Sequence, residues 1–325
     1  VACLAKKFSM PGHSPIRIST LRPDSILAMN VYVPVSGRPV RYGALNETLE
    51  STRLSRLKKY GLNKVWIKEE DEDLYRKYLS DILAEAETNT SMTMSDRTTA
   101  VSSAAENAAQ NILEKPEDKN VYLSSMEHFE RFARFLKNNQ GSFTEILRLS
   151  EMTTQEDYIT HGVQVAALSL YTCEQLKLVR DEKHQTSIIT GTFLHDIGAE
   201  TESLPRMSVE NMDTDQKKVW KNHPQKGAEI LNNKDYVDKQ VMDIILEHEE
   251  IPNGSGFPRG LNQKSMDPVA VVVSLANSFD HYSQKYKNDK QLAQKEFTKD
   301  YLGRYDLKYV EFIGKFIKEH ASKSP

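Results

Sequence analysis

Cysteine is nearly missing from this chain: Cys3 and Cys173 are its two thiols in 325 residues. Neither belongs to a Cys-x-x-Cys pair, which excludes a disulfide framework and a thiolate zinc site and leaves two incidental thiols in a reducing compartment. Long apolar runs are missing too. None approaches the roughly 18 residues that span a bilayer, and Val1 to Lys7 carry no signal-peptide core, so the sequence reads as cytoplasmic and without a membrane partner. Charge of one sign is also absent. The net charge of -3 offers no global positive field to a nucleic acid polymer. A small anionic ligand stays compatible, because a local metal site outweighs the overall charge at close range. With 38% hydrophobic and 27% charged residues, the composition is that of a globular protein long enough for about two domains.

Residues 1–22 show no period and read as surface chain. From Ile26 to Val35 the sequence is β-branched, with Val31, Val33 and Val35 alternating, and Val40–Tyr42 suggests a second short strand. Leu49, Leu54 and Leu57 place a helix over Leu45–Tyr60, ended by Gly61. Val65-Trp66-Ile67 predicts a short buried strand, and Leu74, Tyr78 and Ile82 a helix at four-residue spacing. These elements predict a small α+β domain over residues 1–87, regulatory or sensory in role. The Ser-, Thr- and Met-rich stretch Thr88–Thr99 reads as linker, and residues 88–118 as linker plus connecting helix. There Val101, Ala104, Ala105, Ala108 and Ile112 form a narrow stripe, suited either to packing on its own domain or to contact between two copies of the chain. Residues 119–325 succeed one another in helical patterns, so the fold class is mainly α behind a small α+β unit.

Chemistry concentrates between residues 157 and 280. His161 shares a stripe with Val165 and Leu168, and Asp157 points the same way one turn earlier. His195 shares a stripe with Ile188 and Thr192, and Asp196 follows it directly. His223 precedes Pro224, a pattern that suits a helix start. His248 closes a helix with Val241 and Ile244 on its inner face, and Glu249 and Glu250 follow. Burying several imidazoles without partners would cost several times the penalty of one unsatisfied polar group. A divalent cation satisfies them together, and neutral imidazole with carboxylate suits zinc, iron, manganese, nickel or cobalt. A metal-free His-Asp hydrogen bond is the other reading of the same spacing. His184, in a charged turn, reads as a surface residue. His13, His128 and His320 lack acidic or apolar context, and His281, beside Asp280, stays open.

The stretch Phe193-Leu194-His195-Asp196-Ile197-Gly198 resembles the HD signature. His223-Pro224 with Gly227-Ala228-Glu229-Ile230-Leu231, then His248-Glu249-Glu250-Ile251-Pro252-Asn253-Gly254-Ser255-Gly256-Phe257-Pro258-Arg259-Gly260-Leu261, then Ala276-Asn277-Ser278-Phe279-Asp280, resemble the later blocks of the HD-GYP family in order and spacing. That resemblance covers residues 157–287. It implies an all-helical domain with a two- or three-metal core that hydrolyses cyclic-di-GMP by a metal-bound hydroxide. Carried over by position, it implies His161, His195, Asp196, His223 and His248 as ligands, with Asp196 bridging two metals and central to catalysis. Two cations can generate hydroxide at neutral pH and clamp a phosphodiester.

The sequence departs from the family at specific positions. Glu249 replaces a second histidine; it can still ligate and favours iron or manganese. Asn277 replaces a late aspartate ligand, and Asp280, one turn on, is the candidate substitute. Ala199 stands where a lysine is expected to meet phosphate. Asn253 and Phe257 replace the Asp and Tyr of the glycine-rich segment, while Gly254 and Gly256 keep its conformational freedom. Asp157 favours two metals over three. The substrate or partner loop comprises Asn253, Gly254, Gly256, Phe257, Pro258 and Arg259, with Lys285 and Lys287 as nearby basic residues. Phe257 is expected at the surface beside the metal cleft. Three functions follow: a cyclic-di-GMP phosphodiesterase, weakened by its departures; a receptor for that nucleotide or for a signalling protein through the Gly254–Leu261 loop; or an HD hydrolase of another nucleotide.

Overall fold

The computed structural model describes residues 10–152, 158–199, 211–286 and 289–320. Cys3, Asp157 and Lys287 lie outside these residues. The chain divides into two compact units, Val1–Asn107 and Ala108–Pro325.

The first unit carries an antiparallel sheet in the order β1-β6-β3-β4, built from β1 (His13–Arg17), β3 (Val31–Val35), β4 (Arg38–Gly43) and β6 (Lys64–Lys68). A minor pair joins β2 (Ser25–Ile26) to β5 (Thr48–Leu49). Alternation sends Val31 and Val33 inward, and Val65 and Ile67 are fully buried. Helix α1 spans Ser51–Lys59, later than the expected Leu45–Tyr60. Asn46 adopts φ 65°, a left-handed turn that no helix continues through, so Leu49 is buried from β5 rather than from a helix.

Helix α2 (Glu72–Thr88) buries Tyr75, Leu79, Leu83 and Ala86, whereas Leu74, expected inside, is exposed. The buried face is set one residue later because the Tyr75 hydroxyl donates to Thr20 Oγ1 at 2.8 Å. The expected linker is short: α3 runs from Met94 to Glu114. The Arg97 guanidinium explains the tight connection, since it donates to the carbonyls of Ala86 at 2.6 Å and Glu87 at 3.1 Å and so caps the end of α2. The small-residue stripe of α3, Val101, Ala104, Ala105, Ala108 and Ile112, is buried.

The second unit is helical: α4 (Lys119–Asn138), α5 (Gly141–Met152), α6 (Tyr158–Gln175), α7 (Glu182–Leu194), α8 (Thr214–Leu231), α9 (Lys239–Glu247), α10 (Pro268–Gln284), α11 (Lys290–Tyr301) and α12 (Leu307–His320). Helices α4, α7, α8, α9, α10 and α11 each start at an aspartate whose carboxylate accepts first-turn N–H groups, a cap worth about 1 kcal/mol. Residues 161–173 of α6 are buried on every side, as are most of α7 and α10, which marks these three as the central layer. Cys173 is a buried free thiol there. No helix among the described residues is long and apolar enough to cross a membrane.

Candidate metal centre

The central helices bring their polar residues to one place. His161 lies on α6, His195 and Asp196 follow α7, His223 lies on α8, His248 follows α9, and Asn277 and Asp280 lie on α10. All seven are buried. The turn that follows α7 approaches α8 closely, and Gly198 permits it. A Cβ there would stand 2.0 Å from the His223 carbonyl oxygen and 2.4 Å from the Gly227 nitrogen.

Three imidazoles are oriented by one local device. His195 Nδ1 donates to the Thr192 carbonyl at 2.6 Å, His223 Nδ1 to Trp220 at 2.6 Å, and His248 Nδ1 to Ile245 at 2.9 Å. Each acceptor lies three residues back. The Thr192 and Ile245 carbonyls are in the last turns of α7 and α9, where helical partners run out. Trp220 is in mid-helix, but its ordinary partner would be the N–H of residue 224, which is proline. Pro224 therefore does not start a helix, as the sequence suggested. It sits inside α8, which begins ten residues earlier with the Asp213–Gln216 capping box, and it frees the carbonyl that aligns His223.

With Nδ1 donating, the Nε2 atoms of the neutral rings carry no proton, and they converge. His223 Nε2 stands 2.7 Å from His248 Nε2 and 3.1 Å from Asp196 Oδ1. His248 Nε2 lies 3.5 Å from the same oxygen. His195 Nε2 lies 3.3 Å from Asp196 Oδ2. Lone pairs facing lone pairs in a buried site call for a cation. His195 Nε2 and both Asp196 oxygens are buried without a hydrogen-bond partner among the described residues. Two groups could hold a metal ion, His161 with His195 and Asp196, and Asp196 with His223 and His248; Asp196 belongs to both.

His161 is set differently. Its Nδ1 donates to Asp280 Oδ2 at 2.6 Å, and its Nε2 faces Asn277 Oδ1 at 2.9 Å. The Asn277 amide nitrogen donates to Glu249 Oε1 at 3.2 Å, which turns the Asn277 carbonyl toward His161. Asn277 thus offers a ligand atom. Asp280, expected as a ligand, takes the outer nitrogen of His161 instead and orients the ring.

Burial and neighbouring charge pull the titratable groups of the site in opposite directions. Burial opposes a charged His195, yet the adjacent Asp196 raises its pKa above the usual histidine value. Burial likewise works against ionised Asp196, and its three histidine neighbours hold it well below the carboxylate range. Burial pushes His248 down to about 3 and Glu249 up to about 7. Glu249 Oε1 stands 3.9 Å from His248 Nε2, at the rim of the cluster.

The HD domain family model matches residues 141–306, just over half of the chain. Cyclic di-GMP phosphodiesterase PA4108 of Pseudomonas aeruginosa is 31% identical over 137 residues, covering 42% of this chain and 33% of that protein. A cyclic di-GMP phosphodiesterase of Thermotoga maritima is 28% identical over 190 residues, 54% of this chain and 50% of that one. The solved structure of Bd1817, a HDG"Y"P protein from Bdellovibrio bacteriovorus, superposes with TM-score 0.82 at 29% identity, covering 94% of this chain and 99% of that chain. The chain belongs to the HD domain family, in its HD-GYP branch. It spans between a third and a half of the curated relatives it matches.

In this HD-GYP chain the Gly254–Leu261 loop is pinned from below. Glu250, fully buried, accepts the N–H groups of Arg259 at 2.6 Å and Leu261 at 2.8 Å. Gly256 presses on the backbone, where a Cβ would meet Ile251 N at 2.2 Å and Glu249 O at 2.5 Å. The Arg259 guanidinium pairs with Glu247 at 2.8 Å, which commits it to holding the loop. Asn253 Oδ1 accepts from Ser255 N at 3.0 Å, closing its own turn. Gly254 and Pro258 are exposed. Phe257 lies beside the candidate ligands, its ring 6.3 Å from that of His223, but half-buried against the Met212–Trp220 cluster rather than freely open. Lys285 is exposed, its ammonium 5.3 Å from the Tyr282 ring centre. Ala199 is partly buried at the end of the HD block.

Several sequence readings are corrected here. His184, expected at the surface, is buried; its Nε2 donates to Gln240 Oε1 at 2.9 Å, and Gln240 donates on to Asp267. His320, expected to lack apolar context, packs on Phe143 and Phe316 with ring centres 5.3 and 5.1 Å away. His281 joins the site, its ring 4.8 Å from that of His161 with Nε2 buried and without a hydrogen-bond partner among the described residues, and burial pushes its pKa down to about 3. Trp220 and Lys290 also belong to the surroundings of the site and had no local signal in the sequence.

Proposed function

We propose that this chain is a divergent cyclic-di-GMP phosphodiesterase, slow in turnover, with two divalent ions, iron or manganese, held by His161, His195, Asp196, His223, His248, Glu249 and Asn277. The observation that carries the reading is the Asp196 carboxylate shared between two buried imidazole groups with unprotonated nitrogens aimed at each other. A bound pair of such ions supplies a nucleophile at neutral pH and neutralises phosphodiester charge. The donor set of imidazole, carboxylate and one amide carbonyl, without thiolate, suits these metals. Around that pair the chain's own residues orient and enclose. Asp280 and the backbone carbonyls of Thr192, Trp220 and Ile245 fix the rings, and Trp220 with Phe257 forms an apolar wall beside His223. The names of the two curated relatives support the nucleotide assigned here. In this reading residues 1–87 form a regulatory module joined through residues 88–118 to a catalytic region over residues 119–325, and the Gly254–Leu261 loop is a surface for a signalling protein.

A second reading has a specific observation behind it. Ala199 offers no cation to a phosphate, and Asn277 brings a neutral carbonyl where the family places a carboxylate. A metal-stabilised receptor would bind the nucleotide and leave it intact. Loss of a positioned cation at a developing phosphoryl charge costs roughly 10²–10³ in rate, whereas binding rests on wider contacts. The deciding experiment compares wild type with Ala199→Lys under saturating iron or manganese, measuring both hydrolysis and binding of cyclic-di-GMP. Binding by both proteins with a rate gain in the lysine variant supports the weakened enzyme. Binding without turnover in either supports the receptor. Loss of binding in both removes the nucleotide from the assignment.

A further inference from the structure

Lys290 opens α11 and is 5% exposed. Buried lysines are rare, because an ammonium taken from water without partners is costly. Its Nζ donates to Ser283 Oγ at 3.0 Å and to Gln164 Oε1 at 3.3 Å, and it stands 4.0 Å from Asp280 Oδ1. These contacts have a pattern. Gln164 lies one turn after His161 on α6, and Ser283 one turn after Asp280 on α10, where its hydroxyl donates to the Asp280 carbonyl at 2.8 Å. The ammonium therefore straps together the two helices whose side chains meet as the His161–Asp280 pair. Its surroundings are otherwise apolar: Leu168, Ala276 and Phe316 line the same small cavity, of about 10 Å³, beside Lys290 and Asp280. In such a low-dielectric setting a cation acts strongly on the carboxylate facing it.

We infer that Lys290 is a positioning residue of the metal site, holding the Asp280 carboxylate so that His161 donates from Nδ1 and presents a bare Nε2 toward Asn277. The inference rests on the two-metal reading and deepens it. It assigns Lys290 to one half of the cluster, because the rings of His195, His223 and His248 are set by backbone carbonyls and do not depend on α11. A lysine that merely fills space would not discriminate between the halves.

Titration of metal-free protein with Mn(II) alone, counting free ion by electron paramagnetic resonance, tests this without any nucleotide. Wild type is expected to show two binding events. Lys290→Gln, which keeps hydrogen-bonding capacity and removes the charge, is expected to weaken one event about 10- to 100-fold, the size usual for a group supporting a metal-ligating histidine, and to leave the other within about twofold of wild type. Lys290→Arg is expected to restore most of the loss. Asp280→Asn should weaken the same event, and adding Lys290→Gln to it should do nothing more. Unchanged binding in Lys290→Gln overturns the inference, as do equal weakening of both events, full additivity with Asp280→Asn, or loss of the helical circular dichroism in the Gln variant, since the assigned role is confined to one half-site. Absence of Mn(II) binding by wild type would instead remove the two-metal reading itself.

Discussion

The two halves of the cluster that meet at Asp196 are built by different means. On one side His223 and His248 are aligned within three residues of themselves, by carbonyls that a proline or a helix end leaves without a partner. On the other, His161 is aligned by Asp280, 119 residues away in sequence, with Lys290 beside that carboxylate. A locally aligned ligand keeps its orientation as long as its own turn is folded. A ligand aligned across the core depends on the packing of α6 against α10. The first half is accordingly the sturdier, and the second the one through which changes elsewhere in the unit can reach the metal.

The largest expected effect removes the residue the halves share. Asp196→Asn keeps the shape and halves the acceptor capacity of the group that faces both sets of imidazoles. Elemental analysis after chelator-free purification should find less than half an equivalent of metal, and cyclic-di-GMP hydrolysis should fall by about 10³ or more. Retention of wild-type metal would mean that the two groups do not depend on Asp196. His248→Ala and His161→Ala should each lose one ion and keep the other, and a loss of both from either variant would erase the distinction between the halves.

A smaller effect lies in pH. Glu249 has its pKa raised to about 7 by burial. In the metal-free protein the folded state therefore holds a proton that the unfolded chain has released once the pH exceeds the ordinary glutamate value, so stability falls as pH rises from about 4.5 toward 7. Glu249→Gln removes that penalty and should stabilise the metal-free protein at pH 8 by on the order of 3 kcal/mol, seen as a higher melting temperature, with no gain at pH 4. With metal present the sign reverses, because the carboxylate is wanted as a ligand. Thermal melts at the two pH values, with and without Mn(II), check both signs; a gain that is equal at pH 4 and pH 8 would show that ionisation is not its cause.

The difference between the halves also explains what could be read before the structure. The His195-Asp196 dyad, His223 and His248 announced themselves because their chemistry is local: an inward stripe, an adjacent acid, a helix end. Asn277 and Asp280 were both legible as candidate ligands, sharing a face one turn apart, but which nitrogen of His161 each would take depends on the packing of α10 against α6. His184 and Lys290 were not legible, since in sequence they are ordinary members of charged turns and their partners Gln240 and Asp280 are supplied by other helices. Strands β3 and β6 of the first unit followed from alternation in Val31–Val35 and from Val65-Trp66-Ile67, but β1 did not: residues 1–22 read as surface chain, whereas His13–Arg17 pairs with β6 and Ile16, Ile18 and Leu21 are buried. The α2 face did not follow either, because Leu74 and Tyr75 compete for it and a hydroxyl bond to Thr20 decides. Pro224 misled for a physical reason: next to a histidine it has the pattern of a helix start, and the capping box at Asp213 had already started that helix.

Pro224 also gives the finest test of local alignment. Proline in a helix interior is unfavourable by about 3 kcal/mol relative to alanine, so Pro224→Ala should stabilise the metal-free protein. The same change restores an N–H at position 224 that competes with His223 Nδ1 for the Trp220 carbonyl. That oxygen has two lone pairs and can serve both donors, so the effect should be modest: an affinity loss of about three- to tenfold, confined to the ion held by His223 and His248, in line with the lower range for groups that orient a ligating histidine. The expected signature is opposite movement, a higher melting temperature without metal and weaker Mn(II) binding in one event. If binding tightens along with stability, the freed carbonyl contributes nothing to the orientation of His223, and the sturdiness of that half must come from the close packing of Gly198 on Gly227 instead.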